Sequence, residues 1–185
     1  MYISQQLKNQ SISEYLLYMW QIEDIIRAYG CDMLRIRREY LSRFDLNEEQ
    51  LDEEETWWRN LVRMMKEEGK VKSGHLQINM VTLQILCELN DQLLNSPKYP
   101  FYLSQYYKVL PFIVELRRKG KTEEEQQNME SEIETCFDAL YGTMMLKLQK
   151  KDISADTHHA VKEITTFIGM LNDYYFKDKE TPLEF

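Results

Sequence analysis

The stretch YLLYMWQIEDIIRAYG, residues 15–30, decides the fold. Set at about 100° per residue, Ile12, Tyr15, Leu16, Tyr18, Met19, Ile22, Ile25, Ile26 and Tyr29 follow one another around one broad face. A helix with such a face has to bury it. Ser11 with Glu14 three residues later is a capping-box signature for the start, and Gly30 supplies the stop. Two charges stand inside the apolar arc. Glu23 projects between Ile12 and Leu16, and Arg27 falls one turn further on, between Leu16 and Trp20. At i, i+4, with the acid on the N-terminal side, they are placed to pair. The preferred reading is a structural ion pair that seats the helix on its neighbours. The sharper reading makes Glu23 a buried acid or metal ligand, because perturbed carboxylates collect at functional sites.

Outward from this helix the same period recurs. Residues 1–10 are a polar lead-in. Asp32 can cap a second helix carrying Leu34, Ile36, Leu41 and Phe44. Asn47 with Gln50 opens a third helix, with Trp58, Leu61, Val62 and Met65 on its apolar face and Gly69 as its stop. After a loop at 71–74, a fourth helix runs over about 75–94 and is apolar on nearly every side, which predicts a central position or a self-association face. Pro100 suits the first position of a fifth helix, and Pro111 predicts a kink or restart within it. Thr122 with Glu125 signals a sixth helix along Met129, Ile133, Phe137, Tyr141 and Leu148. Ser154 caps a seventh through Ile164, Phe167, Ile168 and Leu171.

No segment alternates as a strand does. The expected fold is therefore all-α: a bundle of six or seven mostly antiparallel helices, one of them interrupted at a proline. At 185 residues a single domain over 1–176 is expected, with 177–185 as a loose C-terminal tail.

Taken together, the pattern resembles an uncharacterised family of Bacteroidetes proteins of about this length, catalogued as a domain of unknown function. The resemblance is carried by Tyr18-Met19-Trp20-Gln21 and Glu23-Asp24 ahead of Arg27, by Leu110-Pro111 before residues 112–117, and by Leu140-Tyr141-Gly142 leading to Lys151. It spans nearly the whole chain. It implies a helical, bacterial, cytoplasmic protein and brings no activity, cofactor or site residues with it.

Charge and composition narrow the chemistry. A net charge of −8 argues against nucleic-acid binding, which concentrates Lys and Arg on phosphate. The basic clusters at Arg35, Arg37, Arg38 and Arg43, and at 117–121, are offset by acidic runs at 48–55 and 123–134. Cys31, Cys87 and Cys136 are odd in number and far apart, which suggests thiols in a reducing compartment rather than a disulfide framework or zinc knuckle. No signal peptide and no apolar run of the ~20 residues that a membrane span needs are evident. A cytoplasmic protein is expected.

Metal chemistry on a helical bundle would use paired Glu-x-x-His motifs, and none occurs. Asp156, His159 and Glu163 come nearest, as three ligand types along one side of the seventh helix. No nucleophile-elbow, P-loop or dinucleotide signature is present, so no cofactor and no catalytic residue are assigned. A ligand pocket remains open as a reading, with Tyr99, Tyr102 and Tyr106 at helical spacing as one wall and Glu23 and Arg27 as polar anchors near the first helix. The plainer account of those tyrosines is rings in the core and hydroxyls in water. The leading expectation is a non-enzymatic protein that works by self-association, as a homodimer, or by binding a protein partner. The rival is a small-molecule or metal-binding protein.

Overall fold

The computed structural model describes residues 1–120 and 131–185. Among the described residues it holds eight α-helices, one 3-10 turn and no strand, so the all-α class read from the sequence holds. In chain order these are α1 (Tyr2–Gln10), α2 (Ile12–Ala28), α3 (Met33–Glu39), the 3-10 turn Leu41–Arg43, α4 (Glu48–Glu67), α5 (Gln77–Asn95), α6 (Pro100–Gly120), α7 (Glu132–Leu148) and α8 (Ala155–Glu180). No helix among these residues is long and apolar enough to cross a membrane. The chain divides into two compact units, Met1–Thr82 and Leu83–Phe185, with the boundary inside α5.

In the first unit, α1 is the helix beyond the expected six or seven. Its apolar residues are too few to carry a period, and Tyr2 and Ile3 remain exposed. It joins α2 through one residue. Ser11 donates its N–H to Leu7 O at 2.7 Å, closing α1, while its Oγ accepts from Glu14 N at 3.3 Å, opening α2. The expected face of α2 is the core: Ile12, Leu16, Met19, Ile22 and Ile26 are all at most 2% exposed. Gly30 and Cys31, both in the left-handed region at φ +67 and +54, turn the chain. Asp32 Oδ1 then caps α3. That helix stops at Glu39 and passes into the 3-10 turn, shorter than the period through Phe44 suggests.

Asn47 and Gln50 form both halves of the capping box of α4. Trp58, Leu61, Val62 and Met65 are buried as expected. Three arginines of the first cluster pair with nearby carboxylates. Arg37 Nε lies 2.5 Å from Glu55 on α4, and Arg35 and Arg38 both reach Glu39.

In the second unit, α6, α7 and α8 pack on one another around Tyr102, Val109, Ile113, Phe137, Ile164, Phe167 and Leu171. Pro111 does not end α6, which runs through it to Gly120. The helix does not restart there: losing one N–H donor on an exposed face removes one hydrogen bond without ending the buried side. The signals at Thr122, Glu125 and Met129 lie outside the described residues. The described α7 is capped by Ser131, whose Oγ accepts from Glu134 N at 3.0 Å. Ser154 caps α8 as expected. That helix continues through Glu180, past the point where the sequence reading begins its loose tail.

Helix α5 is less enclosed than its sequence suggests. Leu83, Leu86, Leu89 and Leu93 are buried, whereas Ile78, Val81 and Ile85 are between 42% and 48% exposed.

Candidate functional site

Glu23 is fully buried on α2, and its carboxylate is met by three donors from the segment that leads into α5. Oε2 lies 2.6 Å from His75 Nδ1. Oε1 accepts from Leu76 N at 2.9 Å and from Asn79 Nδ2 at 2.7 Å. The carboxyl group thus meets a ring nitrogen, a backbone N–H and a side-chain amide, the kinds of partner a buried carboxylate accepts from. A negative side chain at a helix N-terminus also meets the positive end of the α5 dipole. The His75 ring stacks on Trp20, with centroids 4.1 Å apart and planes 15° apart.

Arg27 completes the arrangement from the next turn of α2. Its Nε donates to Lys70 O at 3.1 Å, its Nη2 donates to Gly74 O, and its Nη1 reaches Asp24 Oδ1 at 2.7 Å. The distance from Nη2 to Glu23 is 3.8 Å. The i, i+4 pair therefore exists, but Glu23 makes its hydrogen bonds to the segment 70–79, and Arg27 divides its own between that segment and Asp24. The acid takes that segment's donors and the guanidinium takes its carbonyls. His75, Asn79 and Trp20 belong to this cluster and are invisible to periodicity, since a lone His at a helix start carries no repeat. A carboxyl group set against one ring nitrogen of a half-buried histidine is a common support for a functional imidazole. Among the described residues, the hydrogen-bonding partner of that imidazole is Glu23, and no nucleophile joins them.

A separate cavity of about 280 Å³ opens within the first unit. Tyr18 from α2, Tyr40, Phe44 and Trp58 wall it with Leu41, and Glu54 is its carboxylate. Tyr40 sits 5.3 Å from Phe44 and 5.2 Å from Trp58, centroid to centroid, tilted by 68° and 59°. Glu54 accepts from the nitrogen of Met1 at 2.7 and 2.6 Å and from Tyr2 N at 3.3 Å. Burial first, then the proximity of Tyr40 and Glu54, pushes the Tyr18 phenol up to about 12. This hydroxyl stays neutral at physiological pH and keeps its proton to donate.

The three tyrosines of the proposed pocket wall lie in the second unit, apart from the unit that holds Glu23 and Arg27. Tyr102 is fully buried, donates to Asn90 Oδ1 at 2.8 Å and packs on Phe167 and Tyr174. Tyr99 donates to Glu184 O at 2.9 Å and meets Tyr174 edge-on. Tyr106 packs against Phe167 and Tyr107, and its phenol is pushed to about 12 by burial and then by a hydrogen bond to Glu132. Helical spacing places Tyr102 in the core, with Tyr99 and Tyr106 nearer its rim.

Asp156, His159 and Glu163 do not converge. Asp156 lines a cavity with Phe112 and Asp138, His159 meets Phe112 edge-on, and Glu163 accepts from Gln105 at 3.1 Å. Among the described residues, no group of three or more His, Cys, Asp or Glu is arranged to hold a metal ion.

Compared with known proteins, residues 1–182 match the model of the family described as Domain of unknown function (DUF4924), and the chain belongs to that family. No curated protein and no solved structure gives a match.

Proposed function

We propose that this member of the family acts by binding another protein molecule, a second copy of itself in the first instance, and not by catalysis. The observation that carries this reading is the outward face of α6. Tyr107, Pro111 and Val114 recur there at i, i+4 and i+7, with Tyr107 61% and Val114 41% exposed. Phe101, at the start of the same helix, is 81% exposed. Single exposed apolar side chains are ordinary, but a stripe at helical spacing is the form a helix-packing interface takes. The rival site anchored on Glu23 and Arg27 has less support, because the 70–79 segment engages both side chains. With three free thiols and a net charge of −8, the same reading assigns the protein to the cytoplasm as a single domain over 1–176, with neither nucleic acid nor membrane as partner.

Sedimentation or light scattering across a concentration series tests this directly. The wild-type chain is expected to dimerise, and Tyr107→Glu or Val114→Glu to return it to monomer with an unchanged helical spectrum. A wild-type chain that stays monomeric at the highest soluble concentration overturns self-association through this face.

A further inference from the structure

The pairing of Glu23 with His75 supports an inference beyond protein association. Only one nitrogen of the ring is engaged. Nδ1 lies 2.6 Å from Glu23 Oε2, and no hydrogen bond to Nε2 forms among the described residues. Glu23 is 0% exposed and Trp20 covers one ring face, so the 26% exposure of the His75 side chain belongs to its outer edge, which carries Nε2. The stack sets the plane of the ring and the carboxyl group sets its rotation, which leaves Nε2 a single direction.

Positive charge stands on the same segment. Lys70 folds back over Gly74, with its Nζ 3.3 Å from where a Cβ on that glycine would stand, and forms no ion pair among the described residues. Arg27 brings its guanidinium to the carbonyl of Gly74. Of the neighbouring acids, Asp24 pairs with Arg27, and Glu68 accepts from Gln77 N at 2.7 Å. An imidazole nitrogen that attacks an electrophile leaves its ring positively charged. A carboxylate already set against the other nitrogen stabilises that charge as it forms. An incoming group that is itself anionic meets Lys70 and Arg27. A phosphoryl group is both electrophilic and anionic.

We propose that Nε2 of His75 is a phosphoryl acceptor, charged by an N-phosphoryl donor such as the phosphohistidine of a partner protein. The Nε2 lone pair forms the new P–N bond while the donor's P–N bond breaks, and the electron pair of that bond leaves with the donor nitrogen. The ring's own proton stays at Nδ1, against Glu23. The site is independent of the α6 face.

The test is to incubate the full chain with phosphoramidate, whose leaving group is ammonia, and to follow each histidine by peptide mass spectrometry and phosphorus NMR. His158 and His159 are exposed and pair with no carboxylate among the described residues, so exposure alone would label them first. His75 is expected to lead them by roughly tenfold or more, with the product at Nε2. Glu23→Gln should slow His75 by about three- to thirtyfold and leave the other two unchanged. Lys70→Ala should slow it by about two- to fivefold. Labelling of His158 or His159 as fast as His75 would overturn the proposal. So would a product at Nδ1, or a folded Glu23→Gln chain that labels at the wild-type rate. The comparison among three histidines uses the wild-type chain, so a variant that fails to fold does not blunt it.

Discussion

The carboxylate of Glu23 on α2 lies 2.6 Å from His75 Nδ1, across 52 residues of sequence. With Leu76 N and Asn79 Nδ2 on the other oxygen, it makes one buried charge the anchor for the start of α5. Glu23→Ala is expected to cost about 3–5 kcal/mol, because it leaves three buried or half-buried donors without their acceptor at once. Arg27→Ala, at a side chain 15% exposed, should cost less, about 1.5–3 kcal/mol. Urea unfolding of both variants checks the order, and a smaller loss at Glu23 than at Arg27 would refute it.

Alkaline stability should reveal Tyr18. Burial chiefly pushes its phenol up to about 12 in the folded chain, against 10.0 ordinarily. Between those values the unfolded chain has released a proton that the folded chain retains. The folded state thus loses ground as pH rises, with full stability present below 10. Tyr18→Phe removes this contribution, so its stability should decline more gently than wild type over the same window in denaturant titrations.

The thiols should separate by reactivity. Cys31 and Cys136 are at most 1% exposed, and burial pushes Cys136 up to about 12. Cys87 is half-buried, 3.0 Å from Ser131 Oγ, and its thiol is also raised by burial. An aromatic disulfide reagent at about pH 8 should therefore modify Cys87 first and slowly, and the other two after unfolding. Rapid reaction of all three in the native protein would contradict the packing around α2 and α7.

Lys150 ends α7 in the left-handed region at φ +56. It donates to Lys147 O, and Lys151 donates to Leu146 O, both at 3.0 Å, the double closure that glycine usually occupies. Lys150→Gly is expected to raise stability by roughly 1 kcal/mol, the relief of a Cβ in that conformation. Thermal unfolding reads the change directly.

How far the sequence reaches can be followed residue by residue. Where a helix starts on a local device, as at Asn47 and Gln50 or at Ser154, the structure puts the start in the same place, since donor and acceptor are three residues apart. Such bonds need no tertiary knowledge. Helix α1 escaped because its stability owes little to an apolar stripe, and the run of α6 through Pro111 escaped because a rule about one bond says little about a well-packed opposite face. At the candidate sites the gap is wider. Glu23 was conspicuous as an acid in an apolar arc, but its partners His75 and Asn79 come from a segment more than fifty residues away. Similarly, Tyr40 and Phe44 flank the 3-10 turn while Glu54 and Trp58 lie on α4, and no single period encodes their convergence.

The tie between α2 and the segment 70–74 bears on how this surface meets a protease. Residues 71–74 are exposed and carry Lys72, with Lys70 beside them, so trypsin has two residues of its preferred type within reach. A cleavable segment must be drawn out as an extended strand into the enzyme's cleft. Here the carbonyls of Lys70 and Gly74 are both held by the one guanidinium of Arg27, so the segment cannot lengthen unless that clamp opens first. Nicking at these lysines therefore measures a local opening equilibrium, and the rate of the cut becomes a gauge of Arg27 rather than of lysine accessibility.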